Sequence, residues 1–181
     1  LIFATGVIYA NENSDADINT NANTNTKANI ISAVSHHHVQ KLGQPLVEYV
    51  DSIVSPDGSG LPLGHGSVKD GEALYQTRCI ACHGLEGRQP GNLLAGGKGS
   101  LNTAKPVKTI GSYWPYATTV FDYIARAMPY NQEKSLSANE VYSLTAYLLY
   151  INEVIAKDSV LNESNLAEIE MPNRNGFIEL H

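Results

Sequence analysis

The chain of 181 residues contains two cysteines, and both lie in one short stretch, "YQTRCIACHGLEG", with histidine directly after the second. Cys79, Cys82 and His83 therefore form a C-x-x-C-H cluster, which constrains the chain more than any other feature. A structural zinc site needs four closed ligands, usually two cysteine pairs, and no second pair exists. A thioredoxin-like dithiol expects a strand before the motif within a βαβ unit, whereas a capped helix precedes this one. A disulfide across two residues would be strained. What remains is the attachment pattern of c-type haem. Two thiols on one helical turn add across the two porphyrin vinyl groups, and the histidine projects toward the iron as an axial ligand.

A second axial ligand is often methionine sulfur. The chain has two methionines, Met128 in "RAMPY" and Met171 in "MPNRNGF". Met128 lies between two helical patterns, and a loop anchored at both ends can hold a ligand rigidly. Met171 lies in a polar tail and reads as exposed or partner-facing. Met128 is therefore the expected ligand, with core packing as the alternative role.

The helical patterns are legible. Ser67 and Asp70 form an acidic capping pair ahead of "VKDGEALYQTR", whose inner face is Gly71, Leu74 and Tyr75. Residues 84–112 are Gly-rich and lack a helical period. A loop this long is unusual inside a compact domain unless it surrounds a bulky ligand. In "WPYATTVFDYIARAMP", Pro115 suits a first helical turn, Val120, Phe121, Ile124 and Ala127 share a face, and Pro129 ends the run. Ser137 and Glu140 make a capping box for an amphipathic helix carrying Val141, Leu144, Leu148 and Ile151.

The ends read differently. Residues 1–10 are mostly apolar and resemble the end of a secretory signal peptide; a clipped anchor or a buried strand is the other reading. Ten residues fall short of the ~20 that span a bilayer. Residues 11–41 are polar and low in complexity, a disordered spacer in which His36, His37 and His38 read as an exposed run. Residues 42–66 form a Gly/Pro-rich arm containing a lone, surface His65. The haem domain is expected over residues 67–156 and a polar tail over 157–181. The net charge of −6 gives no sign of nucleic-acid binding and favours either simple solubility or a partner with a basic docking patch.

With these residues in view, the chain resembles a class I c-type cytochrome: all-α, with long haem-wrapping loops and extended N- and C-terminal arms. The order of capped helix, C-x-x-C-H, Gly-rich loop, middle helix, Met-Pro and last helix agrees with that family. Gly71 and Tyr75 hold the positions where its first helix packs on the last, opposite Leu144, Tyr147 and Leu148. One departure concerns the segment after the histidine, where the family often places a proline whose neighbourhood supplies a carbonyl to the ligand imidazole. Here Pro90 is too close, Asn92 occupies that register, and the acceptor for His83 stays open.

A narrower resemblance, carried by "SPDGSGLPLGHGSVKDGEALY", "TIGSYWPYATTVFDYIARAMPYN", "LTAYLLYIN" and "MPNRNGF", is to the cytochrome subunits of periplasmic sulfane and sulfite dehydrogenases. It implies one covalent haem c on Cys79 and Cys82, with His83 and Met128 on the iron and no catalytic residue in this chain. It also implies a molybdenum dehydrogenase subunit as electron donor, a downstream electron acceptor, and a periplasmic location without a membrane span. Tyr113, Trp114 and Tyr116 line the haem crevice or pack as ordinary aromatics. A free electron shuttle, a haem enzyme or gas sensor with an open distal site, and a metal-binding module on His36–His38 and the cysteines are the rival readings.

Overall fold

The computed structural model describes residues 53–177, all within the unit Leu46–His181. The apolar residues 1–10, the low-complexity spacer with its three histidines, residues 42–52 of the Gly/Pro-rich arm and the last four residues lie outside the described residues. In chain order the elements are β1 (His65–Ser67), α1 (Val68–Arg78), the single turn α2 (Ile80–His83), a 3-10 turn at Leu85–Gly87, α3 (Ala117–Ala127), α4 (Ala138–Ile151), β2 (Val160–Asn162) and a 3-10 turn at Leu166–Glu168.

Helix α1 starts where its cap requires. The Ser67 side chain accepts from the Asp70 N–H at 3.1 Å, and the hydroxyl donates to the Asp70 carboxylate at 2.6 Å. Its buried stripe is narrow, with Val68, Gly71 and Tyr75. That stripe is enough because glycine lets the backbone come close. A Cβ on Gly71 would sit 1.8 Å from the Ser143 carbonyl oxygen of α4, so α1 and α4 touch nearly backbone to backbone. One turn on, the Tyr75 ring lies 5.1 Å from that of Tyr147, and both side chains are buried.

Helix α4 is framed by the expected capping box. The Ser137 side chain accepts from the Glu140 N–H at 3.4 Å, and the Glu140 carboxylate accepts from the Ser137 N–H at 2.8 Å. The helix differs from the amphipathic expectation, because every residue from Val141 to Leu149 is buried. α1 and α3 cover it on two sides, and β1 and β2 cover another. The polar residues this encloses find partners within the helix: Ser143 donates to the Asn139 carbonyl at 2.8 Å and Thr145 to the Val141 carbonyl at 2.7 Å.

Helix α3 begins at Ala117 with Tyr116 as its cap residue, so Pro115 precedes the helix and is not in its first turn. Val120, Phe121 and Ile124 are buried as expected, and the Phe121 ring packs 4.6 Å from that of Tyr142.

The fold departs from all-α in one detail: β1 and β2 form a two-stranded antiparallel pair, with His65 opposite Asn162 and Ser67 opposite Val160. The pairing joins residues before α1 to residues after α4, and Gly66 makes it possible, since a Cβ there would lie 2.1 Å from the Ser143 nitrogen. The tail also departs from its polar reading. Leu161, Leu166 and Met171 are each at most 2% exposed, so Met171 is a core residue and not a surface one. The residues before β1 dock as well: the Val54 N–H donates to Asp122 at 3.0 Å, and the Tyr142 hydroxyl donates to the Pro62 carbonyl at 2.9 Å.

Burial pushes the Tyr75 hydroxyl up to about 12 and also raises that of Tyr142. A tyrosine ionises near 10 in the unfolded chain, so the neutral folded form is favoured below that pH. The advantage is lost as pH rises from about 10 to about 12, because the unfolded state then sheds a proton the folded state retains. Tyr75→Phe removes a hydrogen bond and should cost about 1 kcal/mol at pH 7. Denaturant midpoints taken from pH 8 to 11.5 should show that gap closing above about pH 10. A gap constant across the series would refute the account.

Candidate functional site

The cysteine cluster sits at a break between two helices. α1 ends at Arg78, and Cys79 caps it with φ −121°, donating its N–H to the Tyr75 carbonyl at 2.9 Å. The chain then makes the single turn α2, with Cys82 and His83 both donating backbone N–H groups to the Cys79 carbonyl, at 3.2 and 3.0 Å. The two cysteines are thus nearly one helical turn apart, and His83 directly follows the second. Both thiols are unpaired. Cys79 is half-buried, and burial pushes its thiol up to about 11, with the Arg78 charge opposing and Cys82 adding. Among the described residues no three His, Cys, Asp or Glu side chains gather to hold an ion.

His83 has a fixed tautomer. Its Nδ1 lies 3.0 Å from the Asn92 carbonyl oxygen, which can only accept, so the proton is on Nδ1 and the lone pair on Nε2. That is the arrangement of an imidazole prepared to bind a metal, and it meets the requirement of the haem reading on the chain's own hydrogen bonding. The acceptor left open above is therefore Asn92, in the register where the family places its proline. Its side chain does more: the carboxamide donates to the Cys82 carbonyl at 3.2 Å. No periodicity marks Asn92, and only its distance from His83 hinted at it.

Further bonds close the same loop. Gln89 N–H donates to the His83 carbonyl at 2.9 Å, Asn92 N–H to the Gln89 carbonyl at 3.0 Å, and Leu94 N–H to the Gly87 carbonyl at 2.8 Å. The turn out of α2 depends on Gly84 at φ 70°, ψ −179°, a conformation closed to other residues. The Tyr75 hydroxyl holds this turn by donating to the Gly84 carbonyl at 2.8 Å, and the Tyr75 carbonyl accepts from the Cys79 N–H, so Tyr75 fixes both ends of the motif. Farther on, Asn152 at the end of α4 donates to the carbonyls of Leu94 and Leu148, at 3.1 and 2.8 Å, and fastens the long loop to the central helix. Thr109 and Ser112, buried, close the rest through Gly96 and Val107. Loop and side-chain hydrogen bonds thus do what regular structure does elsewhere, which explains why residues 88–116 can lack helix.

Met128 caps α3 in extended conformation, with φ −122° and ψ 147°, and its N–H donates to the Ile124 carbonyl at 3.1 Å. Its side chain is half-buried against the core. α1 and α3 both pack on α4, so one helix carries the elements that bear the cysteine cluster and Met128. The aromatics before α3 pack against α3 itself and against the tail. Trp114 meets Tyr123 edge-on at 5.6 Å, Tyr113 meets Phe177 at 5.3 Å, Arg174 lies 4.3 Å over the Tyr116 ring, and Asn173 donates to the Tyr113 carbonyl at 2.7 Å.

The order of helices, the tight α1–α4 crossing and a C-x-x-C-H turn with a preset imidazole define a c-type cytochrome. A family model described as "Cytochrome C oxidase, cbb3-type, subunit III" matches residues 66–148. The chain belongs to the class I c-type cytochromes, whose prosthetic group is covalently attached haem c. Among solved structures it is similar to a chain in the crystal structure of the sulfane dehydrogenase SoxCD from Paracoccus pantotrophus. The two are 43% identical with a TM-score of 0.69, over 77% of this chain and 72% of that one. It is also 34% identical over 88 residues to the thiosulfate dehydrogenase of Allochromatium vinosum, a match covering 44% of this chain and only 29% of that protein. Among the described residues no helix is long and apolar enough to cross a membrane.

Proposed function

We propose that the chain is a monohaem electron-transfer subunit of a periplasmic sulfur-oxidising complex. It accepts electrons one at a time from a molybdenum subunit that dehydrogenates a sulfane or sulfite sulfur, and passes them to the respiratory chain. Cys79 and Cys82 would hold the porphyrin by thioether bonds, and His83 Nε2 and the Met128 sulfur would bind its iron. Haem c, when bound, supplies a one-electron couple. The chain's own residues do the rest. Asn92 and the Gly84 turn orient His83, the α3 cap presents Met128, and the buried faces of α1, α3 and α4 provide a rigid apolar support. An iron held by both side chains would have no position left for a sulfur substrate. Oxidation of such a substrate takes two electrons per step, so the chemistry belongs to another cofactor in a partner.

The observation that carries this reading is the extent of the likeness to SoxCD. It covers 77% of the chain, whereas the family model stops at residues 66–148. The similarity therefore reaches beyond the haem domain, into segments a free shuttle has no evident need to keep. The second relative is also named for a sulfur-compound dehydrogenase. The test is to purify the tagged holo-protein from periplasm under mild conditions and measure molybdenum in the stably associated fraction. About one molybdenum per haem is expected. A haem protein that purifies alone and molybdenum-free would sink the subunit reading in favour of a freely diffusing carrier.

A further inference from the structure

Asn92 makes two bonds with two different parts of one residue. Its carbonyl accepts from His83 Nδ1 at 3.0 Å, and its carboxamide donates to the Cys82 carbonyl at 3.2 Å. The two partners are adjacent in sequence, one in the attachment pair and the other the histidine. Pulling both onto one residue makes a bracket, with the carboxamide holding the loop in register so that the carbonyl stays against the ring. The bracket is closed from behind by Asn92 N–H on the Gln89 carbonyl and Gln89 N–H on the His83 carbonyl. No helix or strand contributes between residues 88 and 94, and Asn92 is exposed, so water competes for each bond singly. Single exposed bonds of this kind hold weakly, whereas several closed through one residue support one another. A proline in this register would keep the carbonyl but have neither the N–H nor the carboxamide.

We infer that the Asn92 carboxamide is the positioning element of the His83 imidazole, clamping the Cys82 carbonyl so that the Asn92 carbonyl remains bonded to Nδ1. Asn92 is a positioning residue and touches no reacting atom. Its role follows from partner groups that orient a metal-bound histidine and raise its basicity. The inference rests on His83 being an axial ligand.

The test uses the haem-loaded protein with ring-15N histidine. In the wild type, the His83 Nδ1–H should give a hyperfine-shifted resonance that exchanges slowly with solvent. Asn92→Ala removes the carboxamide donor and leaves the backbone carbonyl. Asn92→Asp keeps the shape but offers a carboxylate that cannot donate. Both should speed Nδ1–H exchange about fivefold to tenfold, matching the loss of a bond worth about 1 kcal/mol. Both should also change the spread of the haem methyl shifts, which reports the ring's orientation. Asn92→Ser, too short to reach Cys82, replaces alanine if that variant fails to accumulate. Exchange and methyl shifts that match the wild type, even with a lowered melting temperature, would overturn the inference and leave Asn92 a loop residue only. A wild type with no hyperfine-shifted His83 ring proton would overturn the axial reading itself, and this inference with it, before any variant is made.

Discussion

Met128→Ala is expected to abolish the methionine–iron charge-transfer band of the holo-protein and let the iron bind carbon monoxide readily, while Met171→Ala leaves the band in place. The two substitutions are chemically identical, and the structure separates their consequences. Met128 stands at the end of α3, its backbone held by Ile124 and its side chain half-buried against the edge of the core. Met171 is 1% exposed and fully enclosed in the core. Its truncation should therefore lower stability by about 2–5 kcal/mol, the cost of a cavity where a long side chain was, without a spectral change. Parallel absorbance spectra and denaturant melts of the two variants decide the matter. Loss of the band in Met171→Ala with retention in Met128→Ala would reverse the assignment.

Gly71→Ala should destabilise the protein by about 3 kcal/mol, although alanine is the better helix former by about 1 kcal/mol. The new methyl carbon would sit 1.8 Å from the Ser143 oxygen and 2.5 Å from its carbonyl carbon. Both are backbone atoms of a buried helix, so no rotamer change relieves the clash and α1 must back away from α4. Tyr75 and Tyr147 would then part, and with them the support behind Cys79. A fall in melting temperature of roughly 10 °C is the expected reading. Gly66→Ala meets the same residue, at 2.1 Å from the Ser143 nitrogen, so the double variant should cost less than the two single costs together. Gly91→Ala is the control, since a Cβ there meets nothing within 4 Å and only its φ of +88° resists substitution, at about 1–2 kcal/mol. A melt of Gly71→Ala indistinguishable from wild type would show that the close crossing is not needed.

Local signals read from the residues proved reliable where the physics is local. Ser67 and Ser137 cap helices because a side-chain oxygen reaches an N–H three residues on, and both bonds form. Ile124 and Val120 face inward because the period of a helix puts them together. Pro115 lies just before the cap residue Tyr116 and not in the first turn, a difference that does not show locally, since a proline before a cap residue and one in a first turn look alike in sequence. Met171 departs from its polar surroundings for a different reason. It lies in a polar stretch, and its burial depends on the tail folding back onto the core, which no local pattern announces.

The candidate site divides along the same line. The C-x-x-C-H cluster of Cys79, Cys82 and His83 can be picked out because it consists of residue types at one spacing, and spacing is a property of sequence; its role as a haem site is the proposal made above. The choice of Met128 rested on its position between two helices. Asn92 could not be derived that way, because two bonds from an irregular loop back to residues 82 and 83 arise only when the turn at Gly84 folds the chain onto itself. What the sequence by itself determined was the class of chemistry, written in residue types and short intervals. The tertiary structure alone decided which carbonyl faces the imidazole, which methionine is buried, and that α4 is enclosed from Val141 to Leu149. Each of those depends on segments distant in the chain meeting in space, and the free energy that brings them together resides in contacts no short window contains.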